Sequence, residues 1–173
     1  AEPEGAGRIA GAQWTRGKVG KALDFNGQGS FVSLGNSDVG GNDFTIAAWV
    51  CPRSNRSGQD RILAKERIGV GSHQFRLYLH AGNRLGFAMT GFADGLPFPF
   101  VSAPDSIPLQ QWTHVAVTRH GSQFTLFING QPHSGMAFMT YNQKSTRHFG
   151  DFGRAPALLG TRRVGPDLAW IAD

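Results

Sequence analysis

Apolar and polar residues alternate with a period of two along several stretches of the chain, and this period predicts β-strands with faces of different polarity. Residues 74–80 show the alternation most clearly. The apolar positions of this stretch, which we expect to face a core, are Phe75, Leu77 and Leu79. The polar positions between them, which we expect to face outward, are Arg76, Tyr78 and His80. The stretch therefore predicts one buried face and one face that is available for binding.

Other stretches extend the pattern and predict a fold made of strands. Those with strand character are 21–26, 30–34, 43–51, 61–66, 74–80, 85–89, 112–119, 123–129 and 157–160. Residues 43–51 are mostly apolar at both sets of alternating positions, which predicts a central strand covered on both sides. Two antiparallel pairs are expected, one formed by the first two stretches and one by residues 112–129.

Composition fits one domain built from many short strands. The chain has 173 residues, 40% of them hydrophobic, with 13 Phe, 24 Gly and 9 Pro. Glycine and proline interrupt the apolar runs at the spacing of turns, and no apolar stripe has the period of a helix. Residues 1–16 are expected to be a loosely ordered lead-in, and residues 91–108 a long loop. We therefore expect one all-β domain, residues 1–173, in which about 12 strands form two antiparallel sheets.

The net charge of +5 raises the question of a nucleic-acid partner. The basic residues are scattered and do not alternate with stacking aromatic residues, so we expect a basic solvated surface and no specific nucleic-acid site. An acidic polysaccharide is compatible with this charge. Cys51 is the one cysteine and is expected to be a packed thiol, and no apolar stretch is long enough to span a membrane.

Four motifs occur in order along the chain. They are Gly-Lys-x-Gly-x-Ala-Leu-x-Phe-x-Gly at 17–27, Phe-Thr-Ile-x-x-Trp-Val at 44–50, Trp-x-His-Val-Ala-Val-Thr at 112–118 and Leu-Phe-Ile-Asn-Gly at 126–130. Through these motifs the chain resembles the laminin-G-like, or concanavalin A-like, jelly-roll domains over about residues 15–173. The resemblance implies a jelly-roll sandwich, a binding function, and a secreted or cell-surface location.

The chain departs from this family at both ends. Relatives usually begin with a strand similar to Trp-x-Phe-Asp-Glu and continue beyond an Ile-Ala-Asp segment, which here is residues 171–173. The resemblance implies that these two terminal strands pair with each other. Without them, we expect an exposed sheet edge near residues 23–25, which favours a homodimer through that edge. The alternative is that the lead-in folds back and covers it.

Concanavalin A-like folds also include enzymes, so catalysis has to be considered. A retaining glycosidase needs two carboxyl groups about 5 Å apart, whereas the 12 acidic residues of this chain are isolated along the predicted strands. The resemblance implies that a polysaccharide lyase uses Arg, Gln, His and Tyr from facing strands, and Arg76, Tyr78 and His80 match three of these types. We expect no enzyme, and a lyase or glycosidase relative is the less favoured alternative.

The same three residues are the main candidate binding site. Tyr78 offers an aromatic face to a sugar ring, and Arg76 and His80 offer polar groups to its hydroxyls. Phe98 and Phe100, in the predicted loop, are expected to cover one end of the sandwich or to form a lip that binds the ligand. Outward positions expected on the 112–129 hairpin are Arg119, Thr125 and Phe127, with a buried Phe127 as an equal alternative.

The resemblance also implies a structural Ca²⁺. In related folds this ion is held by backbone carbonyls near the first Phe-x-Gly turn and by an Asp of the last strand, which match Gly27 and Asp173. His114 lies between Trp112 and Val115 in a predicted strand and is expected to be a hydrogen-bonded core residue. The histidines of this chain do not have the spacing of a zinc site.

The favoured interpretation is a non-catalytic module that binds carbohydrate or glycoconjugate. The alternative is a laminin-G-like domain with a structural or protein-binding role. The partner is accordingly an oligosaccharide or polysaccharide, acidic ones included, or a protein. The sequence does not specify the glycan, because specificity depends on the geometry of loops.

Overall fold

The computed structural model describes residues 7–34, 43–54, 60–66, 73–89, 98–101, 105, 107–121, 123–133, 157–159 and 168–170. At 66, 73, 74, 98–101, 157–159 and 168–170 only the backbone is described. These residues contain fourteen strands and no helix, so no described helix is long and apolar enough to cross a membrane.

The strands follow one another along the chain with short connections where the connections are described. In order they are β1 (Arg8–Ala10), β2 (Gln13–Arg16), β3 (Lys21–Phe25), β4 (Phe31–Ser33), β5 (Asp43–Pro52), β6 (Asp60–Glu66), β7 (His73–His80), β8 (Arg84–Met89), β9 (Phe98–Val101), β10 (Thr113–His120), β11 (Gln123–Ile128), β12 (Gln131–His133), β13 (Ala157–Leu159) and β14 (Leu168–Trp170).

The strands form two antiparallel sheets of seven strands each. Sheet I has the order β1-β4-β13-β6-β7-β8-β9, and sheet II has the order β12-β11-β10-β5-β14-β3-β2. Non-consecutive strands are neighbours in both sheets, which is typical of a jelly roll and not of a simple meander. The predicted all-β jelly-roll sandwich of two antiparallel sheets is therefore confirmed.

One apolar cluster between the two sheets forms the core, and its burial is the main source of stability. Sheet I contributes Val32, Ile62, Phe75, Leu77, Leu79, Leu85, Phe87 and Met89. Sheet II contributes Leu23, Phe25, Ile46, Val50, Val115, Val117, Leu126 and Ile128. The alternation predicted for residues 74–80 is confirmed, since its three apolar residues all lie in this cluster.

Of the two predicted strand pairs, one is present and one is not. Strands β10 and β11 form the expected hairpin, with Val115 opposite Ile128 and His120 opposite Gln123. Strands β3 and β4 do not pair, because they belong to different sheets. Gly27 and Gly29 between them have φ values of 66° and 82°, and this left-handed backbone turns the chain from one sheet into the other.

The N-terminal segment was expected to be a loose lead-in, and for its described part this is wrong. Strand β1 pairs with β4 and strand β2 pairs with β3, so residues 8–10 and 13–16 extend both sheets. Strand β14 pairs with the other side of β3, where Leu168 lies opposite Phe25. Residues 23–25 are therefore not an exposed edge, because both sets of backbone groups have neighbouring strands. The folded-back lead-in is the correct alternative.

The predicted loop 91–108 contains strand β9, which pairs with β8 and ends sheet I. Phe98 lies opposite Met89 and Phe100 lies opposite Phe87. The expectation of a structureless segment is therefore wrong for residues 98–101. Proline is tolerated at position 99 because β9 is an edge strand and does not need to donate on both sides.

Candidate functional site

The three predicted site residues of β7 share the outer face of sheet I. Antiparallel pairing places Tyr78 between Arg61 of β6 and Gly86 of β8, because directly opposed residues share a face. Arg84 lies opposite His80 in the next row. We refer to Arg61, Arg76, His80 and Arg84, grouped around Tyr78, as the cationic face.

Tyr78 is not the exposed platform that its outward position predicted. The side chain is only 2% exposed. A β-carbon added at Gly86 would lie 2.6 Å from Cζ and 3.0 Å from the hydroxyl of Tyr78, so the ring lies across the backbone of β8. Glycine at position 86 is therefore a packing requirement, and the tyrosine is a buried support for its neighbours.

Arg76 packs on this buried ring. Its Cζ lies 5.2 Å from the centroid of the Tyr78 ring, within the range of a cation–π contact. Burial raises the pKa of the Tyr78 phenol, and the charges of Arg76 and Arg84 and a hydrogen bond with Arg76 oppose that rise. The phenol therefore stays neutral at physiological pH and fixes the position of the guanidinium beside it.

His80 is positioned by Arg84 across the β7–β8 hairpin. Nη2 of Arg84 lies 3.2 Å from Nδ1 of His80, and Nε of Arg84 donates to the carbonyl of Ala81 at 3.1 Å. A guanidinium can only donate, so Nδ1 of His80 accepts and Nε2 carries the proton of the neutral ring. The ring of His80 also contacts Tyr78, with centroids 6.2 Å apart.

These contacts give the cationic face a defined chemistry. It presents guanidinium groups and an imidazole N–H, all donors, on a buried aromatic base. Such donors recognise carboxylate, sulfate and hydroxyl oxygens, and a guanidinium can bind a carboxylate through two parallel hydrogen bonds. Phe98 and Phe100 occupy register positions opposite core residues, whereas Pro99 and Val101 continue the rows of Ala88 and Gly86.

The predicted calcium site is only partly within the described residues. Gly27 is buried and has a positive φ, and Oδ1 of Asn26 accepts a hydrogen bond from the N–H of Gln28 at 2.8 Å. The buried hydroxyl of Ser30 has no hydrogen-bond partner. Asp173 lies outside the described residues, and the described residues hold no group of three His, Cys, Asp or Glu that suits a metal. Oxygen donors at this turn fit calcium, and the site stays a prediction.

On the β10–β11 hairpin, one of the three expected outward residues is placed differently. Arg119 lies opposite Phe44 and Phe124, in the inward-facing rows, and is 8% exposed. Its guanidinium lies 5.4 Å from the Phe124 ring centroid, and its Nε donates to the carbonyl of Gly121 at 2.7 Å. Burial lowers the pKa of Arg119, and Asp43 opposes this effect. Arg119 therefore closes one end of the core.

The outer face of sheet II carries a pair of rings that the sequence did not predict. His114 was expected in the core, but it lies opposite Trp49 in a row that faces away from the core. The two ring centroids are 5.3 Å apart at an interplanar angle of 64°. The pair is formed by strands that are distant in sequence. The alternation of residues 43–51 gives the face on which Trp49 lies, but it does not give the partner on β10.

The comparisons with known proteins agree with this architecture. The family model described as concanavalin A-like lectin/glucanases superfamily, Laminin_G_3, matches residues 26–164. A comparison with curated proteins finds no match.

Among solved structures, the chain is similar to a sialidase from Trypanosoma rangeli, with a TM-score of 0.63 at 17% identity. It covers 26% of that protein, with 95% of its own length aligned, so the chain spans about a quarter of the sialidase.

Two smaller proteins match over most of their length. Domain 4 of AbnA, an extracellular arabinanase from Geobacillus stearothermophilus solved with arabinotriose, has a TM-score of 0.57 at 18% identity, with 95% and 81% of the two chains covered. The carbohydrate-binding module CBM66 from Bacillus subtilis has a TM-score of 0.50 at 14% identity, with 94% and 89% covered. At these identities the likeness concerns the fold.

Proposed function

We propose that this chain, which belongs to the concanavalin A-like lectin/glucanase superfamily, is a non-catalytic carbohydrate-binding module. Its ligand is an oligosaccharide or polysaccharide that carries acidic groups, and it binds the cationic face of sheet I. The fold supports this proposal, since a carbohydrate-binding module and an accessory domain solved with arabinotriose share it.

The observation that carries the proposal is the cation–π contact of Arg76 with the buried ring of Tyr78. A guanidinium that rests 5.2 Å from the centre of a 2%-exposed ring has fewer conformations to lose when it binds. Arg84 is held in the same way by the carbonyl of Ala81 and by His80. Two fixed guanidinium groups on one face form a preorganised site for anionic oxygens.

The charges of this face favour binding over hydrolysis. At the described positions around Tyr78, the charged or ionisable side chains are Arg61, Arg76, His80 and Arg84. The usual retaining and inverting mechanisms of glycoside hydrolysis use a pair of Asp or Glu carboxyl groups, one of them as a proton donor. A face of fixed cations instead stabilises the bound carboxylates of an acidic glycan.

The test is a glycan array that contains uronic-acid, sulfated and neutral glycans, probed with and without calcium. We expect binding to acidic glycans, and Arg76→Gln should weaken it roughly tenfold or more, because hydrogen bonds between charged groups contribute about 1.5–3 kcal/mol. The control is Arg16→Gln, which removes an exposed arginine of strand β2 on the other sheet. Equal affinity of the Arg76 and Arg16 variants, or no acidic ligand on the array, would contradict the proposal. Dependence on calcium would support the site at Gly27 and Asp173.

A second function, protein binding, is favoured by the edge of sheet II. Strand β2 is the end of that sheet, and Trp14 within it is 57% exposed. Val19, in the turn that follows, is 68% exposed. Sedimentation at high concentration tests whether β2 pairs with β2 of a second copy, and a Trp14→Ser variant should then be monomeric. A wild-type protein that is monomeric at all concentrations measured would contradict dimerisation through β2.

A further inference from the structure

The outer face of sheet II has a different chemistry from the cationic face, and its centre is Trp49. This ring is partly exposed and contacts the edge of His114 on the neighbouring strand. Asn129 fixes the neighbouring strand at that point. Its Oδ1 accepts the N–H of His114 at 3.0 Å and its N–H donates to the carbonyl of His114 at 2.8 Å. The aromatic pair is therefore held on a rigid part of the sheet.

On β5 and β10 the surface beside Trp49 does not protrude, because these two strands carry small residues in the next row. Ala47 precedes Trp49 by two positions on β5 and lies opposite Ala116 of β10. Ala47 is exposed to solvent. On β11 the same row ends at Phe127, which lies opposite Ala116 and is partly exposed. A flat ligand can therefore lie along β5 and β10 from the indole, with the Phe127 ring at its side.

One side chain, that of Lys18, lies over the indole of Trp49. Nζ of Lys18 lies 5.6 Å from the centroid of the Trp49 ring, and Lys18 is exposed. It comes from the β2–β3 turn, which is closed by a hydrogen bond from the N–H of Gly17 to the carbonyl of Gly20 at 3.0 Å. A lysine has a long, flexible side chain that can move aside for a ligand and then close on it.

Beyond the small residues, the face offers hydroxyl groups and little unpaired charge. Thr45, Thr118 and Thr125 lie in one row across three strands. In the row after that, Nδ1 of His120 lies 2.6 Å from Oδ1 of Asp43. On the opposite side of Trp49, Asp24 forms an ion pair with Arg53. The arrangement therefore suits an uncharged ligand with many hydroxyls.

We propose that this face is a second saccharide site, which binds an uncharged oligosaccharide. One sugar ring stacks its C–H face on Trp49, Lys18 closes over the ring, and the following sugars reach the threonine row. The site goes beyond the proposed function, because it requires neither an acidic ligand nor the cationic face. A module with sites on both outer faces can hold two polysaccharide chains at once.

The site can be tested by ¹⁹F NMR of protein labelled with 5-fluorotryptophan. The probes are linear hexasaccharides of glucose, xylose, mannose and arabinose, and a Trp49→Phe variant assigns the resonance of Trp49. We expect at least one hexasaccharide to shift this resonance in a saturable way, while the resonance of Trp14 stays fixed. A Trp49 resonance that does not move with any of the four at millimolar concentration would overturn the inference.

Substitutions then show whether the resonance of Trp49 shifts because a sugar stacks on its ring or because a ligand binds elsewhere. We expect Trp49→Ala to weaken binding at least tenfold and Lys18→Ala to weaken it about threefold, a loss typical of one hydrogen bond from the ammonium group to a sugar hydroxyl. The matched control is Trp14→Ala, which should bind as the wild type does. Lys18 is exposed, so its variant tests the site even if Trp49→Ala unfolds. Unchanged affinity of a folded Lys18→Ala or Trp49→Ala protein would contradict the inference. Failure of the acidic-glycan proposal would leave this titration unchanged, which distinguishes the two.

Discussion

The two outer faces of the sandwich both place an aromatic ring beside a cation, but they reverse the roles of the two groups. On sheet I the ring of Tyr78 is buried against Gly86, and Arg76 lies on it at 5.2 Å. On sheet II the ring of Trp49 is partly exposed, and Lys18 lies over it at 5.6 Å. The difference shows that nearly equal cation–π distances support two chemistries. Under the two proposals made above, the cation would contact the ligand on sheet I, and the ring would contact it on sheet II.

The sharpest test of this comparison is the stability of the two truncated rings. We expect Tyr78→Ala to lower the free energy of unfolding by about 3–5 kcal/mol, as for other large buried side chains. Trp49→Ala should cost about 1 kcal/mol, typical of a point substitution away from a core. Chemical denaturation of both variants measures the difference. Similar losses in the two proteins would show that both rings serve mainly as structural supports.

A substitution at Gly86, which lies under the Tyr78 ring, tests the same comparison through the packing of that ring. Gly86→Ala places a methyl group 2.6 Å from Cζ of Tyr78, so the ring must move, at a cost of about 1–3 kcal/mol. The matched control on sheet II is Ala47→Val, where the exposed position has room and the effect should stay within about 0.5 kcal/mol. In a Tyr78→Ala background the Gly86→Ala cost should largely disappear. If it persists, the clash lies elsewhere.

The smallest expected effect is a loss of stability in alkali. Burial raises the pKa of Tyr78 in the folded protein. Above the usual tyrosine pKa of about 10, the unfolded chain releases this proton while the folded chain keeps it, so stability falls as pH rises. Tyr78→Phe should remove that part of the decline, and denaturation from pH 8 to 11 measures it. A decline of the same slope in Tyr78→Phe would assign it to other groups.

The strands that the sequence predicted are those with a clear periodic signal. In β7 and β10 apolar residues of the core recur at every second position. This period of two can be recognised in the sequence of one strand, without knowledge of the strands that pair with it. Strands β1 and β2 were missed because they are short and mostly exposed, and an exposed edge strand leaves no apolar pattern. Strand β9 was missed because its residues lie in a proline-rich segment.

The candidate site was predicted as far as one strand can show it. The period of β7 placed Arg76, Tyr78 and His80 on one face, as the register confirms. The burial of Tyr78 depends on Gly86, which lies opposite it on another strand. The proximity of His114 and Trp49 likewise depends on the pairing of β10 with β5. Such contacts follow from register across strands, and periodicity within one strand does not contain that information.

The positions of β13 and β14 have a consequence for biosynthesis. Strand β13 lies between β4 and β6, and β14 lies between β5 and β3, so each sheet has an interior place that is filled late in the chain. A nascent chain on the ribosome cannot complete either sheet until residues 157–170 have left the exit tunnel. Contacts of such large sequence separation form slowly, and unfilled strand edges promote aggregation. Folding of this domain is therefore expected to be completed only after both strands have emerged, and the incomplete sheets are prone to aggregation until then.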